Sequence, residues 1–184
     1  MAAVLSHALA ATAIAAVLRP EQKLPPRYWA AAIAIATIPD VDIAFVGMGA
    51  RYRGMFGHRG ITHSIAFAAA AAAALALSCF RDPRRDGLRE RLWGIFFLAG
   101  LSHGFLDASM ASGVGVAVLA PFSAARYHSV FRPIRVTPPT GNPWLDPGGI
   151  RVTHSEILWI WLPSLLVIFA ALRFRQIARG GGTG

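Results

Sequence analysis

The stretch HRGITHS, residues 58–64, places two histidines five apart around an arginine and a threonine, immediately before a long alanine-rich apolar run. Ionisable groups are costly where a chain enters lipid, so a use for them is expected. Further on, LSHGFLDAS carries His103 and Asp107 at i and i+4, on one face of a helix. IPDVD carries Asp40 and Asp42 two apart. They cannot share a helical face, but both reach one centre if the backbone after Pro39 leaves the helix. Imidazole with carboxylate is a ligand set for Zn²⁺, Mn²⁺ or Fe²⁺, whereas Mg²⁺ and Ca²⁺ prefer oxygen shells. A catalytic centre of that type keeps a position open for water and lowers its pKa toward neutrality. Arg59, always charged and fork-shaped, suits a phosphate or another developing anion. Thr62, Ser64 and Ser102 are candidates to fix imidazole tautomers. Gly57 and Gly60 bracket His58 and Arg59 and would allow the backbone turn that aims them inward.

The elements that must position these residues are apolar. The 184 residues suffice for one compact unit. An apolar share of 55% and a mean hydropathy of +0.49 exceed the values of soluble domains. The charge of +9 sits in short arginine clusters between apolar runs. That is the pattern of loops at a membrane surface rather than a nucleic-acid stripe, so no direct nucleic-acid contact is expected. The single cysteine, Cys79, stands in an apolar run, which excludes a disulfide framework and a cysteine zinc site. Residues 8–18 resemble the apolar part of a secretory signal, but no Lys or Arg precedes them. A retained membrane helix is expected instead.

Five apolar segments, at about 3–18, 28–46, 61–80, 92–111 and 156–172, approach the length of membrane crossings. The first and last are short and would tilt or lean on neighbours. The expected fold is an all-α, polytopic membrane helix bundle of about five transmembrane helices. A long irregular loop, 112–155, with six prolines and five glycines, precedes the last helix. Residues 1–176 form one integral-membrane domain in this reading, and 177–184 a flexible tail.

Alternating crossings put the N-terminus, 47–60 and 112–155 on one side, and 19–27, 81–91 and the C-terminus on the other. Basic residues divide 7 against 11 between them. The positive-inside rule then places the C-terminus in the cytoplasm and the first side outside. All six histidines fall on that first side, as do Asp40, Asp42, Asp107 and Glu156. Ordinary structural roles remain open for several of them. His7 alone fits an interfacial histidine. His128, in RYHSVFR, fits a lipid interface. Thr153 and Glu156 have capping-box spacing, which would place His154 in a helix start. Arg51, Arg53, Arg132 and Arg135 read as headgroup anchors. Such roles do not by themselves predict the gathering of His58, His63, His103 and Asp107 at one face.

IPDVD, HRGITHS and LSHGFLDA, in that order after an early histidine, resemble the YdjM-like family of membrane-bound metal-dependent hydrolases. These are also described as LexA-binding inner-membrane-associated hydrolases. PFSAARYHSVFRPI and SEILWIW extend the similarity from His7 to about Trp161. The resemblance implies a small bacterial inner-membrane protein with a metal centre. By motif, its metal ligands are His7, Asp40, Asp42, His58, His63, His103 and Asp107, with Arg59 beside them and Glu156 and His154 as additional candidates. The expectation is hydrolysis of a lipid or lipid-linked substrate, a phosphoester first, at headgroup depth near the non-cytoplasmic face. One or two divalent ions, zinc before manganese or iron, would activate water, with Asp40 or Asp42 orienting it or taking its proton. Arg59 would stabilise the developing charge. Two other classes stay open. One is a membrane-anchored regulator binding a cytoplasmic partner through 81–91 or the tail. The other is a metal or proton transporter.

Overall fold

The computed structural model describes residues 4–20, 24–80, 87–136 and 147–180. Helix α1 is Val4–Leu18, and α2 is Arg27–Thr37. A 3₁₀ turn, Ile38–Val41, joins α2 to α3, Asp42–Gly47. Helix α4 is Ile65–Cys79 and α5 is Leu88–Ala108. Helix α6, Pro147–Glu156, continues through a π turn at Ile157–Trp161 into α7, Leu162–Gly180. These make five helical rods and, among the described residues, no strand; two isolated bridges tie Met110 to Ile134 and Val116 to Tyr127.

Local chemistry accounts for the boundaries. Pro39 has no N–H to give to the helical ladder, and α2 tightens there into the 3₁₀ turn. Ser64 begins α4 as an N-cap, its Oγ accepting from Phe67 N at 3.0 Å. Gly87 takes the left-handed conformation that opens α5.

Helix α5 is the centre post, packed against α1, α2 and α4. The core between them is built from small residues, among them Ala11, Ala15, Ala32, Ala36, Ala72 and Ala99, around Tyr28, Ile35, Leu92 and Phe96. Such residues let helix backbones come close, as membrane helices do. At Gly100 a Cβ would lie 3.3 Å from Ala68 Cβ and from Ile35 Cγ1. Two hydrogen bonds pin the rods: Tyr28 Oη to Ala15 O at 2.8 Å, and Trp93 Nε1 to Ala69 O at 3.1 Å.

Helix α7 packs on α1, and its other faces present Leu165, Leu166, Phe169 and Phe174 outward. Two rods are long and apolar enough to cross a membrane, Arg27–Gly47 and Pro147–Arg179; 39% of the apolar window is buried in the first and 11% in the second. Val4–Leu18 and Ile65–Cys79 are shorter apolar helices.

The last rod differs from expectation. It begins at Pro147, a residue whose fixed φ suits a first helical turn, so the irregular loop does not extend to 155. His154 and Glu156 stand inside this rod rather than opening it, and Thr153 and Glu156 form no terminal capping box. Nor is the rod short, because α7 continues to Gly180, four residues into the expected tail. Arg175 anchors that extension, donating from Nη2 to Val17 O at 3.1 Å and Arg19 O at 2.7 Å. Residues 181–184 lie outside the described residues.

Candidate metal centre

One end of the bundle gathers the start of α1, the α2–α3 junction, the 48–64 loop and the end of α5. The loop is a chain of tight turns, with Gly54 N on Arg51 O, Gly57 N on Gly54 O and Gly60 N on Gly57 O at 2.8–3.1 Å. A Cβ at Gly57 would stand 2.0 Å from Arg51 O, and one at Gly60 2.1 Å from Met55 O. The glycines are therefore there for room. The left-handed residue of HRG is Arg59 itself, at φ +61°.

Arg126 holds the loop from outside. Its Nη1 donates to His58 O at 3.1 Å and Gly115 O at 3.3 Å, and its Nη2 to Gly54 O at 3.2 Å. Burial, then the guanidinium groups of Arg53 and Arg59, push Arg126 below the usual arginine range.

Inside, the hydrogen bonds set the imidazole tautomers. His103 Nδ1 donates to Ala36 O at 2.7 Å, because a carbonyl can only accept, and Nε2 keeps its lone pair. His63 Nδ1 lies 3.0 Å from Thr62 Oγ1 and 3.2 Å from Asp42 Oδ2. The carboxylate accepts only, so His63 Nδ1 carries a proton and donates. The two Nε2 atoms face each other at 2.9 Å. Asp107 Oδ2 is 3.3 Å from His63 Nε2, and Asp40 Oδ1 is 3.7 Å from His103 Nε2 and 3.9 Å from His63 Nε2. Ligand atoms of these four residues lie within 4.8 Å of one another. Both oxygens of Asp40 are buried without a hydrogen-bond partner, and Asp107 is buried with the Arg59 guanidinium as its ion-pair partner. Two facing imidazole nitrogens beside Asp40, a buried carboxylate without a partner, and Asp107, balanced by a single arginine, are a donor set that a cation would satisfy. Donors at about 2.0–2.1 Å from a tetrahedral ion stand about 3.3 Å apart, and 2.9–3.9 Å brackets that separation. The residues fit a divalent ion.

The other candidates take different places. Both oxygens of Asp42 are used: Oδ1 accepts from His58 Nδ1 at 2.9 Å, and Oδ2 from Arg59 N at 2.8 Å and Thr62 Oγ1 at 3.1 Å. His58 is thus turned toward Asp42, its ring centroid 5.9 Å from that of His63. His7 stacks on His103 with centroids 3.9 Å apart, and its Nε2 is 3.7 Å from Asp107 Oδ1. Both its ring nitrogens lack hydrogen-bond partners. Arg59 is buried and ion-paired, Nε to Asp107 Oδ2 at 2.9 Å, while Nη1 reaches Ser112 Oγ and Nη2 reaches Met110 Sδ. Glu156 is buried against Ser6, whose Oγ donates to Oε2 at 2.8 Å and accepts from Trp161 Nε1 at 2.8 Å. His128 and His154 are exposed.

Two expected tautomer-setting hydroxyls are engaged elsewhere: Ser64 caps α4, and Ser102 donates to Ala99 O at 2.7 Å. The groups that sequence reasoning missed are the Ala36 carbonyl, Ser112, Met110 and Arg126. A carbonyl leaves no trace in the sequence, and Arg126, in RYHSVFR, reads like any interfacial arginine.

A family model described as YdjM inner membrane protein matches residues 1–180. Inner membrane protein YbcI of Escherichia coli (strain K12) is 36% identical over 148 residues, which cover 79% of this chain and 83% of that protein. No solved structure gives a significant match. An all-helical chain with this buried His–Asp cluster, matched over nearly its whole length, thus belongs to the YdjM family of inner membrane proteins.

Proposed function

We propose that this chain is a membrane-embedded, metal-dependent hydrolase in which Asp40, His63, His103 and Asp107 hold a divalent ion. The facing Nε2 atoms of His63 and His103, flanked by the carboxylates of Asp40 and Asp107, carry the reading. The mixed nitrogen and oxygen donors favour zinc, with manganese or iron next. When bound, such an ion acts as a Lewis acid toward an ester or phosphoester and lowers the pKa of water.

The chain's own residues divide the remaining work. Asp42 and the Ala36 carbonyl hold the His63 and His103 tautomers. Arg59 balances and orients Asp107, a positioning role in place of the anion clamp that its sequence context implies. Asp40, whose side chain is 10% exposed, is the carboxylate nearest the outside. With both oxygens unpartnered it is placed to orient water and take its proton; Asp42 has none to spare. His7, stacked on His103, supports either the same ion or a neighbouring one through Asp107 Oδ1.

All five rods cross the inner membrane in this reading. The centre lies at headgroup depth near the non-cytoplasmic face, and the substrate is a lipid or lipid-linked phosphoester. The arginine excess on the opposite side and the outward-facing apolar rods support it. The test uses the full chain purified in detergent. Elemental analysis is expected to find stoichiometric transition metal, and chelation to abolish turnover of a phospholipid panel. Metal-free wild type, or a metal-loaded protein inert on the whole panel, overturns the reading.

A further inference from the structure

The end of the bundle away from the metal centre holds a cavity of about 760 Å³ between the end of α1, the start of α5 and the last turns of α7. Arg19, Arg91, Arg175 and Arg179 line it, and among the described residues no carboxylate does. Val17, Leu18 and Val167 continue from this cavity into a groove of about 610 Å³ that follows α1, α5 and α7 toward the metal end. Ile14, Leu98, Leu101, Phe105 and Pro163 are among its walls, and among the described residues its only polar side chains are Ser102 and Ser164. Along α1 the groove extends from Ala10 to Leu18, about 12 Å of helix.

We propose that the two together form a binding site for one anionic phospholipid, with its phosphate among the arginines and an acyl chain in the groove. Guanidinium forks pair with phosphate oxygens through charge-assisted hydrogen bonds. Basic pockets between membrane helices on the cytoplasmic side are suited to anionic headgroups. Arg19 Nε is buried there without a hydrogen-bond partner. Arg175 is braced at the mouth by the Val17 and Arg19 carbonyls. A zwitterionic headgroup would bring its ammonium against guanidinium groups, and free phosphate would leave the groove unused. The lipid also answers a packing question. Helix α7 leans on α1, and the groove separates it from α5; an acyl chain fills that gap. This site is at the far end from the metal centre and does not depend on the chemistry proposed there.

The test compares phosphatidylglycerol with phosphatidylcholine of the same chains, added to the full chain in neutral detergent. Native mass spectrometry and thermal unfolding are the readouts. Wild type is expected to retain one phosphatidylglycerol and to melt several degrees higher with it, and to do neither with phosphatidylcholine. Arg91→Gln combined with Arg179→Gln should weaken phosphatidylglycerol binding by about tenfold or more. Leu101→Trp, which fills the groove, should weaken it too, whereas Arg132→Gln with Arg135→Gln at the metal end should not. Equal retention of the two lipids by wild type overturns the proposal without any variant. So does full binding by the Arg91/Arg179 variant, or displacement of the lipid by inorganic phosphate.

Discussion

His63 and His103 turn their Nε2 atoms to each other at 2.9 Å because Asp42 and Ala36 claim the opposite ring nitrogens. This separates residues of the same type by role. His63→Ala or Asp107→Ala removes a ligand and should abolish tight zinc binding in a competition titration. Asp42→Asn removes an orienting acceptor and should weaken binding by about 10–100-fold while leaving the stoichiometry unchanged; wild-type affinity in that variant would assign Asp42 no part in holding the centre. Arg59 has a separate signature. Arg59→Ala strands the Asp107 carboxylate in the interior, costing about 3–5 kcal/mol in metal-free protein. Zinc should restore part of that loss, because the ion replaces the missing positive charge. Denaturation with and without chelator reads the difference. The residue types that assemble here are visible in HRGITHS and LSHGFLDA. Their division into ligands and supports is not, because it turns on which oxygen of Asp42 meets which N–H.

Elements deliver these side chains through a few tight places. Gly60→Ala must push Met55 O away from 2.1 Å, whereas Gly100→Ala meets Ala68 and Ile35 at 3.3 Å. Gly60→Ala is therefore expected to lose metal binding with helix content intact by circular dichroism. Gly100→Ala should keep metal with a small stability change. Equal effects at the two positions would refute this account of the loop. The π turn acts at the same scale. Its i→i+5 bonding brings Glu156 and Trp161, five residues apart, to one side of the rod, where both meet Ser6. Ser6→Ala takes a donor from the buried Glu156 and should destabilise by about 1–3 kcal/mol. Trp161→Phe, which loses only the indole N–H, should cost less. Helix count and approximate spans are legible from apolar run lengths. The start of the last rod is not, because 147–155 has mixed polarity, and Pro147 rather than hydropathy sets its first turn.

For the whole molecule, the decisive property is an apolar exterior. Ile33, Leu77, Leu98, Phe105, Leu166 and Phe169 all face outward, and the longest rod is scarcely buried. Water tolerates such a surface poorly, whereas a bilayer's hydrocarbon accommodates it. The protein is expected to remain in the membrane pellet after alkaline carbonate washing, and a C-terminal reporter to report the cytoplasmic side. Release by carbonate, or a periplasmic C-terminus, would overturn the proposed five-span arrangement or the proposed orientation.

The sequence by itself determined that the chain is helical and apolar, and which polar residues end near one face. Run length, turn residues and the alternation of crossings act within one segment at a time, so they can be read in order along the chain. Only the tertiary structure decided which of those polar groups touch. It set His63 against His103, spent Asp42 on His58 and the Arg59 N–H, paired Arg59 with Asp107, and left His154 outside. Such choices depend on how rods lean and where a 3₁₀ or π turn rotates a side chain, and differences of an ångström between separate elements have no counterpart in residue order.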